Sequence, residues 1–177
     1  MSWPRLCTMR TAIVLAMHGI PPLDYPKKEL AEFFKLHAMV EGMGGPISQE
    51  VRRQYDALHK RIREWPRSQK NDPFQMASQD LAAKLSEVSG CEVIVGYNEF
   101  CSPTLNEALL ATVDKGAERI MVVTTMMTRG GDHSEKDIPS RIEEFKRLHP
   151  NTEVIYAWPF DGDQVARFLN DHISRFS

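Results

Sequence analysis

Apolar positions along the chain follow two alternating patterns: short continuous runs and longer stripes of helical spacing. Short runs rich in β-branched residues and bounded by polar residues are typical of strands that are buried on both faces. The stripes between them predict amphipathic helices, because their apolar residues recur every three or four positions. The four runs are residues 12–17, 91–96, 120–123 and 153–158. Strands that alternate with helices predict an α/β fold with a four-stranded, parallel, doubly wound sheet.

The longest helical pattern lies directly after the first strand, from residue 26 to residue 73. We predict two helices here, the first stopping near the glycines at 42–45 and the second at Pro66. The second helix carries a continuous apolar stripe formed by Val51, Tyr55, Leu58, Ile62 and Trp65. Burial of each large side chain contributes about 1.5–3 kcal/mol, so we expect the stripe to cover the domain's own crevice or a partner subunit.

The chain is therefore predicted to form one domain, residues 9–177, with residues 26–73 as a helical insertion. Residues 1–8 are predicted to be a loose tail, since Met9 could equally be a start.

Polar residues that precede prolines predict where the later helices begin. Asp72 should cap the third helix, with Pro73 in its first turn and Gln75 completing a capping box. Ser102 should cap the fourth helix and Asp137 the fifth. The fourth and fifth helices should therefore begin close to the carboxyl ends of the second and third strands.

The composition is that of an ordinary globular protein, with 42% hydrophobic and 26% charged residues among 177. A net charge of −2 does not favour polyanions, so no nucleic acid partner is expected. The first apolar run is too short to span a bilayer, and no membrane partner is expected. The three cysteines are odd in number and far apart, which argues against a disulfide framework or a structural zinc site. A reducing cytoplasm is the expected location.

One stretch departs from this charge balance. Residues 52–70 contain seven Lys or Arg residues against Asp56 and Glu64. A basic run of this kind is usually a solvated helix face. The alternative is that it binds an anionic ligand or partner.

Candidate chemistry lies where the predicted strands end, because ligands of open α/β sheets bind at that edge. His18 follows the first strand, Glu99 follows the second, and His133 follows the third. Two imidazoles and one carboxylate suit a divalent metal such as cobalt, iron, nickel or zinc, and they leave coordination positions open. No strand is followed by a Gly-x-Gly-x-x-Gly or Walker-type sequence, so no organic cofactor is expected.

Each of these residues also has a purely structural interpretation. His18 could donate to a backbone carbonyl, Glu99 could cap the next helix, and His133 could belong to a solvated loop. Met126 and Met127 could line a pocket, although methionine at a strand end more often fills the core. The other histidines fall in helical patterns and are interpreted as packing or surface residues: His37, His59, His149 and His172.

Four short segments carry a resemblance to a known family. Leu15-Ala16-Met17-His18-Gly19 and Gly96-Tyr97-Asn98-Glu99 end the first two strands, and Gly131-Asp132-His133 and Asp137-Ile138-Pro139 follow the third. Together they resemble the class II tetrapyrrole chelatases, specifically the short CbiX-type sirohydrochlorin chelatases of cobalamin biosynthesis. The similarity covers residues 11–20 and 80–175. The Gly-x-His-x-x-x-Asp-Ile-Pro element is its most specific part.

The resemblance implies an enzyme that inserts a divalent metal into a sirohydrochlorin-like tetrapyrrole and works as a homodimer. Cobalt is the implied substrate metal, with iron and nickel as alternatives. His18 and His133 would bind the metal and assist deprotonation of the macrocycle, and Glu99 matches an acidic position of the family pattern.

Substrate contacts are expected around the same crevice. Such a tetrapyrrole bears several carboxylates, which Arg129, Lys136 and the basic helix could attract. Met126 and Met127 are candidates for the lining of the pocket.

Two departures from the family pattern favour a second hypothesis. Ile20 replaces the usual serine after His-Gly, and Thr124-Thr125-Met126-Met127 replaces a segment that contains proline. The alternative function is therefore a non-catalytic metal- or tetrapyrrole-binding protein, either a carrier or a sensor. A third hypothesis is an interaction domain that uses the basic helix.

Overall fold

The described part of the protein is built on one four-stranded sheet. The computed structural model describes residues 10–42 and 47–177, so the predicted tail, residues 1–8, lies outside the described residues. The strands are β1 (Thr11–Met17), β2 (Glu92–Tyr97), β3 (Arg119–Thr124) and β4 (Glu153–Tyr156). Their order is β2-β1-β3-β4 and every neighbouring pair is parallel, which confirms the predicted sheet.

The helices lie where the apolar stripes predict them. In chain order they are α1 (Lys27–Gly42), α2 (Gln49–Arg63), α3 (Pro73–Ser89), α4 (Leu105–Asp114), α5 (Ile138–Leu148) and α6 (Gly162–Ile173). A short π-helical turn, His133–Asp137, directly precedes α5. The π turn replaces the open loop that we predicted around His133.

Two hydrophobic clusters cover the two faces of the sheet. One packs α4 and α5 against the central strands and includes Val14, Val122 and Leu109. The other packs α3 against β1 and β2, through residues such as Ala82 and Leu15. Val14 and Leu15 are neighbours in β1 and therefore point to opposite faces. Covering both faces is what the continuous apolar strands require.

A third cluster holds the helical insertion. Tyr55 and Ile62 of the predicted α2 stripe are buried in it, and the other three stripe residues are partly buried against it. The stripe packs on Phe33 of α1 and on Phe100, which lies in the loop after β2. The stripe is therefore buried within its own chain, and the insertion is attached to a loop at the carboxyl edge of the sheet.

Two predicted details around α2 and α3 need correction. α2 ends at Arg63, so Trp65 lies beyond the helix although it still packs against the third cluster. Asp72 caps α3 as predicted, and its side chain accepts from the Gln75 N–H at 2.9 Å. The Gln75 side chain does not complete a capping box, because it donates to the Ser102 carbonyl at 3.3 Å.

The start of α4 was also predicted wrongly. Its cap is Thr104 rather than Ser102, and Thr104 and Glu107 exchange the two hydrogen bonds of a capping box. The Pro103 carbonyl accepts from the N–H of Tyr97, the last residue of β2, at 2.9 Å, which forms an isolated bridge between the strand end and Thr104. Residues 102 and 103 are therefore held in the strand-end loop and are not available to the helix.

The C-terminal helix α6 stands apart from these clusters. None of its residues is buried, and its apolar residues Phe168, Leu169 and Ile173 are largely exposed. Within the described residues, no helix is both long enough and apolar enough to cross a membrane. Cys91 is disulfide-bonded, contrary to the expectation from cysteine spacing, whereas Cys101 is a free and buried thiol.

Candidate metal centre

The structure brings together the three residues that follow the first three strands. One ligand atom from each of His18, Glu99 and His133 lies within 4.8 Å of the other two. The His18 Nε2 atom is 3.8 Å from a Glu99 carboxylate oxygen. The His18 and His133 rings meet edge to face, with their centroids 4.4 Å apart. This is a donor set of two imidazoles and one carboxylate, which suits a divalent transition metal.

Backbone pairing fixes His18 beside Glu99. The Asn98 N–H donates to the Met17 carbonyl and the Glu99 N–H to the His18 carbonyl, both at 2.9 Å, so the β1–β2 pairing continues past the strand ends. Gly19 has a φ of +91°, and a Cβ atom at this position would overlap the carbonyl oxygen of Glu99. Glycine is therefore required for the two loops to approach this closely.

Hydrogen bonds donated by the Nδ1–H groups orient both imidazoles. His18 Nδ1 lies 2.5 Å from the Gly19 carbonyl oxygen, and His133 Nδ1 lies 2.6 Å from an Asp137 carboxylate oxygen. Both partners are acceptors, so each Nδ1 carries the proton and donates it. The Nε2 lone pair of each ring is therefore left for a metal, as in the carboxylate–histidine–metal arrangement. Asp137 occupies the cap position of α5 as predicted, but its side chain holds His133 and makes no capping hydrogen bond.

Two hydrogen bonds anchor the π turn that carries His133. The buried Ser134 hydroxyl donates to the Gly131 carbonyl at 3.1 Å. The Tyr156 hydroxyl of β4 donates to the Ser134 carbonyl at 2.9 Å. Burial, together with the nearby Glu135 carboxylate, raises the pKa of Tyr156 to about 12, so this hydroxyl remains a donor at neutral pH. His133 is consequently presented by a fixed turn, in line with the frequent use of π turns at functional sites.

Asp137→Ala should weaken metal binding without removing a ligand. The substitution takes away the acceptor that fixes the His133 tautomer, and loss of such a partner lowers metal affinity about 10- to 100-fold. Asp132→Ala is the matched control, because Asp132 belongs to the same segment but pairs with Lys136 at 2.7 Å. Calorimetric titration with Co²⁺ measures the metal affinity of both variants. Equal Co²⁺ affinity in Asp137→Ala and the wild type would contradict this role.

A buried arginine ties the insertion to both site loops. The Arg67 guanidinium forms an ion pair with Asp72, whose side chain is fully buried. It also donates to the carbonyls of Ile20 at 2.9 Å, Ile62 at 2.8 Å and Phe100 at 2.5 Å. Ile20 follows the His18–Gly19 turn, and Phe100 follows Glu99. Arg67 therefore connects the end of α2 to the two loops that present His18 and Glu99.

Cys101 lies within this buried network but does not add a metal ligand. Burial raises the pKa of its thiol to about 11, so the thiol remains protonated at neutral pH. A protonated thiol is a poor ligand and a poor nucleophile.

A cavity of about 410 Å³ opens beside Glu99 and His133, a volume within the range of ligand pockets. The insertion contributes one part of its wall, through Phe33 and His37 of α1 and Tyr55 and His59 of α2. The remaining lining residues are Asn98, Glu99, Phe100, Asp132, His133, Lys136, Asp137 and Arg141. The cavity therefore lies between the sheet edge and the insertion.

The polar residues of the wall that the sequence did not assign to the site include Asn98, His59 and Arg141. The Asn98 side chain is buried, and neither its amide nitrogen nor its oxygen has a hydrogen-bond partner within the described residues. Buried amide groups normally have partners, so this one is available to a ligand in the cavity. Arg141 adds a cation to the wall without a salt bridge among the described residues.

The predicted substrate-binding residues are not all brought to the cavity. Lys136 lines it, although it also pairs with Asp132. Arg129 points to Glu135, with a 3.3 Å contact, and is not part of the lining. Met126 packs against the core cluster of α4 and α5, and Met127 does not line the cavity either. The substrate roles of Arg129, Met126 and Met127 stay predictions.

Most of the basic run is neutralised by local acids. Five of its seven cations form ion pairs, namely Arg53–Glu50, Lys60–Glu64, Arg61–Glu29, Arg63–Glu107 and Arg67–Asp72. The run therefore offers less positive charge to an anionic ligand than its sequence indicates.

Comparison with known families identifies the family of this chain. The family model for CbiX matches residues 68–175, which is more than half of the chain. The chain belongs to the CbiX family. The matched segment contains Glu99 and His133, while His18 and most of the insertion precede it in this CbiX-family chain.

Individual relatives are similar over part of their length. A sirohydrochlorin ferrochelatase of Priestia megaterium is 33% identical over 70 residues, which are 40% of this chain and 26% of the relative. A sirohydrochlorin cobaltochelatase of Methanopyrus kandleri is 24% identical over 117 residues, 54% of this chain and 81% of the relative. The cobalt complex of the sirohydrochlorin chelatase SirB from Bacillus subtilis subspecies spizizenii superposes with a TM-score of 0.43 at 18% identity. That match covers 85% of this chain and 44% of the SirB chain.

Proposed function

We propose that this CbiX-family chain inserts a divalent metal into a sirohydrochlorin-like tetrapyrrole. The observation that carries the proposal is the convergence of two imidazoles and one carboxylate beside a ligand-sized cavity. A metal held by three side chains keeps open coordination positions, which the pyrrole nitrogens of a macrocycle can fill. Membership of the CbiX family and the names of its relatives support the same reaction.

Cobalt is the proposed substrate metal, with iron and nickel as alternatives. Neutral imidazole binds all three metals, and geometry and availability rather than raw affinity decide between them. One relative is named for cobalt and another for iron, which supports both choices. The site holds its metal with few protein ligands, so the metal can pass to a macrocycle with four nitrogen donors.

The cavity wall supplies matching contacts for a flat, carboxylated ring. Phe33, His37, Tyr55 and His59 have nearly parallel rings, with angles of 17–27° between neighbours. Aromatic rings of this kind can pack against a conjugated macrocycle. Arg141 and Lys136 can pair with its carboxylates, and the Asn98 amide can hydrogen-bond to it.

The reaction can be followed directly in the visible spectrum of the macrocycle. Purified protein with sirohydrochlorin and Co²⁺ should change the spectrum faster than the same mixture without protein, because bound metal and macrocycle are held together. Parallel assays with Fe²⁺ and Ni²⁺ identify the preferred metal. A rate equal to the spontaneous rate for all three metals would contradict catalysis. Tight macrocycle binding without turnover would instead support the carrier or sensor, the alternative that Ile20 motivates.

We also propose that the chain works as a homodimer, as short CbiX-type proteins do. The exposed apolar residues of α6, Phe168, Leu169 and Ile173, support an interface there. A second apolar surface is left on the sheet face beside Met121 and Val123, where a cavity of about 320 Å³ opens. The helix of one copy could cover the sheet face of the other, in a two-fold arrangement.

Light scattering over a range of concentrations tests the dimer. The wild type should have twice the mass of the chain, and Phe168→Asp should shift it to the monomer because a charge would be buried in the interface. Leu148→Asp is the matched control, since Leu148 is an exposed apolar residue on α5. A monomeric wild type at all concentrations would contradict the proposal. The cytoplasmic location stays a prediction.

A further inference from the structure

Metal insertion releases two protons for each metal that enters the macrocycle. Two pyrrole N–H bonds break and two metal–nitrogen bonds form, with no change in oxidation state. The incoming divalent cation replaces two protons, so charge balances only if a base receives those protons. The base must reach the cavity and must have a free lone pair while the metal is bound.

The imidazoles of the metal centre, to which the family resemblance also assigns help with deprotonation, do not meet that requirement while the metal is bound. In His18 and His133, each Nδ1 already carries a proton that it donates to Gly19 or to Asp137. Each Nε2 lone pair is the one that binds the metal. While the metal is held, neither ring has a lone pair left for a pyrrole proton. The Glu99 carboxylate is also a weak base while it binds the metal, because the cation attracts its electrons.

His59 is placed differently. It lines the same cavity from the insertion, and its ring packs beside the rings of Phe33 and Tyr55, with centroids 5.9 Å and 5.6 Å away. These rings hold the imidazole in one orientation. Neither of its ring nitrogens has a hydrogen-bond partner within the described residues, so a lone pair is available to the cavity.

The surroundings keep this imidazole neutral. Burial is the main cause that lowers the pKa of His59, and the Arg63 guanidinium adds to the effect. His37 and Arg141 lower the pKa further, while the Asp56 carboxylate opposes them. The groups that face His59 from α1, α2 and α5 therefore favour the form that can accept a proton and release it again.

We propose that His59 is a catalytic residue of the insertion and accepts the pyrrole protons that the metal displaces. This inference rests on the proposed chelatase function. A lone pair of the imidazole takes one N–H proton as a metal–nitrogen bond forms. The partly exposed ring then gives that proton to solvent and can take the second. The insertion would thus supply the base, and the strand ends would supply the metal ligands.

A matched pair of substitutions separates proton acceptance from packing. His59→Gln and His59→Glu remove the same ring and have the same size, but only the glutamate carboxylate can accept a proton. Insertion rates are measured with sirohydrochlorin and Co²⁺, and the affinities for Co²⁺ and for the macrocycle are measured separately. His149→Gln is the control, because His149 stacks on Phe145 of α5 outside the cavity.

We expect His59→Gln to lower the insertion rate about 100-fold or more, the usual contribution of a general base, with Co²⁺ affinity unchanged. His59→Glu should retain much more activity than His59→Gln, and His149→Gln should match the wild type. The inference is overturned if His59→Gln keeps the wild-type rate or if both His59 variants lose activity equally. It is also overturned if Co²⁺ affinity falls with the rate.

Failure of the proposed function is recognised separately, because the wild type would then show no insertion above the spontaneous rate. Folding of each variant is checked by thermal unfolding. If His59→Gln and His59→Glu do not fold, His59→Asn and His59→Asp make the same comparison with shorter side chains. Equal loss in those two variants would likewise overturn the inference.

Discussion

His18→Ala and His133→Ala should each abolish most metal-insertion activity while leaving the fold intact. Each substitution removes one of the three proposed ligands, so we expect a loss of at least about 100-fold in Co²⁺ affinity and in insertion rate. The side chains of His18 and His133 are 42% and 26% exposed and lie outside the core clusters. Their removal should therefore change the free energy of unfolding by no more than about 0.5 kcal/mol.

Replacing a remote histidine in parallel shows whether the loss is specific to His18 and His133. His172→Ala is suitable, because His172 is exposed on α6 and contacts the ring of Phe176. Calorimetric Co²⁺ titration, spectroscopic insertion assays and urea unfolding are carried out on all three variants. Co²⁺ affinity that is unchanged in either His18→Ala or His133→Ala would show that the site does not bind metal as described.

Arg67→Ala should be the most destabilising single substitution near the site. It leaves the Asp72 carboxylate buried without its cation and also removes hydrogen bonds to three carbonyls. Breaking a buried ion pair from one side costs about 3–5 kcal/mol. We therefore expect a large fall in the urea midpoint of unfolding, together with weaker Co²⁺ binding because both site loops lose an anchor.

Lys84→Ala provides the comparison for Arg67→Ala. Lys84 also pairs with an aspartate, Asp80, but both side chains are exposed on α3. Exposed pairs contribute little to stability, so this variant should unfold at the wild-type midpoint. If Arg67→Ala were as stable as Lys84→Ala, the connection between the insertion and the site loops would not depend on this arginine.

The strand-end positions of the site were predictable because they follow from sheet topology. Apolar runs identify β1, β2 and β3, and parallel strands bring the residues after them to one edge. His18, Glu99 and His133 could therefore be placed together before any distance was known. Ser102 shows the limit of this reasoning, because the Pro103 carbonyl pairs with the end of β2 and the helix cap is Thr104.

The support of His133 was not predicted, since Asp137-Ile138-Pro139 is a typical helix start. In the structure a π turn precedes α5, and the Asp137 carboxylate faces His133 instead of the helix N–H groups. The spacing still contained a signal. His133, Asp137 and Arg141 are four residues apart, and residues at this spacing in a helical segment lie on one face.

The wall of the cavity depends on how the insertion packs, which composition and spacing do not specify. His37 and His59 were interpreted as packing or surface residues, yet both line the cavity. Each lies four residues after an aromatic residue, Phe33 or Tyr55, so each helix presents an aromatic–histidine pair on one face. Arg67 was counted in a solvated basic run, because a buried cation can be recognised only when its distant carbonyl partners are known.

Cobalt X-ray absorption on the Co²⁺-loaded protein identifies the atoms that coordinate the metal and therefore tests the strand-end site directly. We expect two imidazole nitrogens and carboxylate oxygen in the coordination sphere of the wild type. We also expect that one imidazole is lost in each of His18→Ala and His133→Ala. A wild-type spectrum without imidazole ligands, or one that neither substitution changes, would contradict the assignment of this strand-end site as the metal centre.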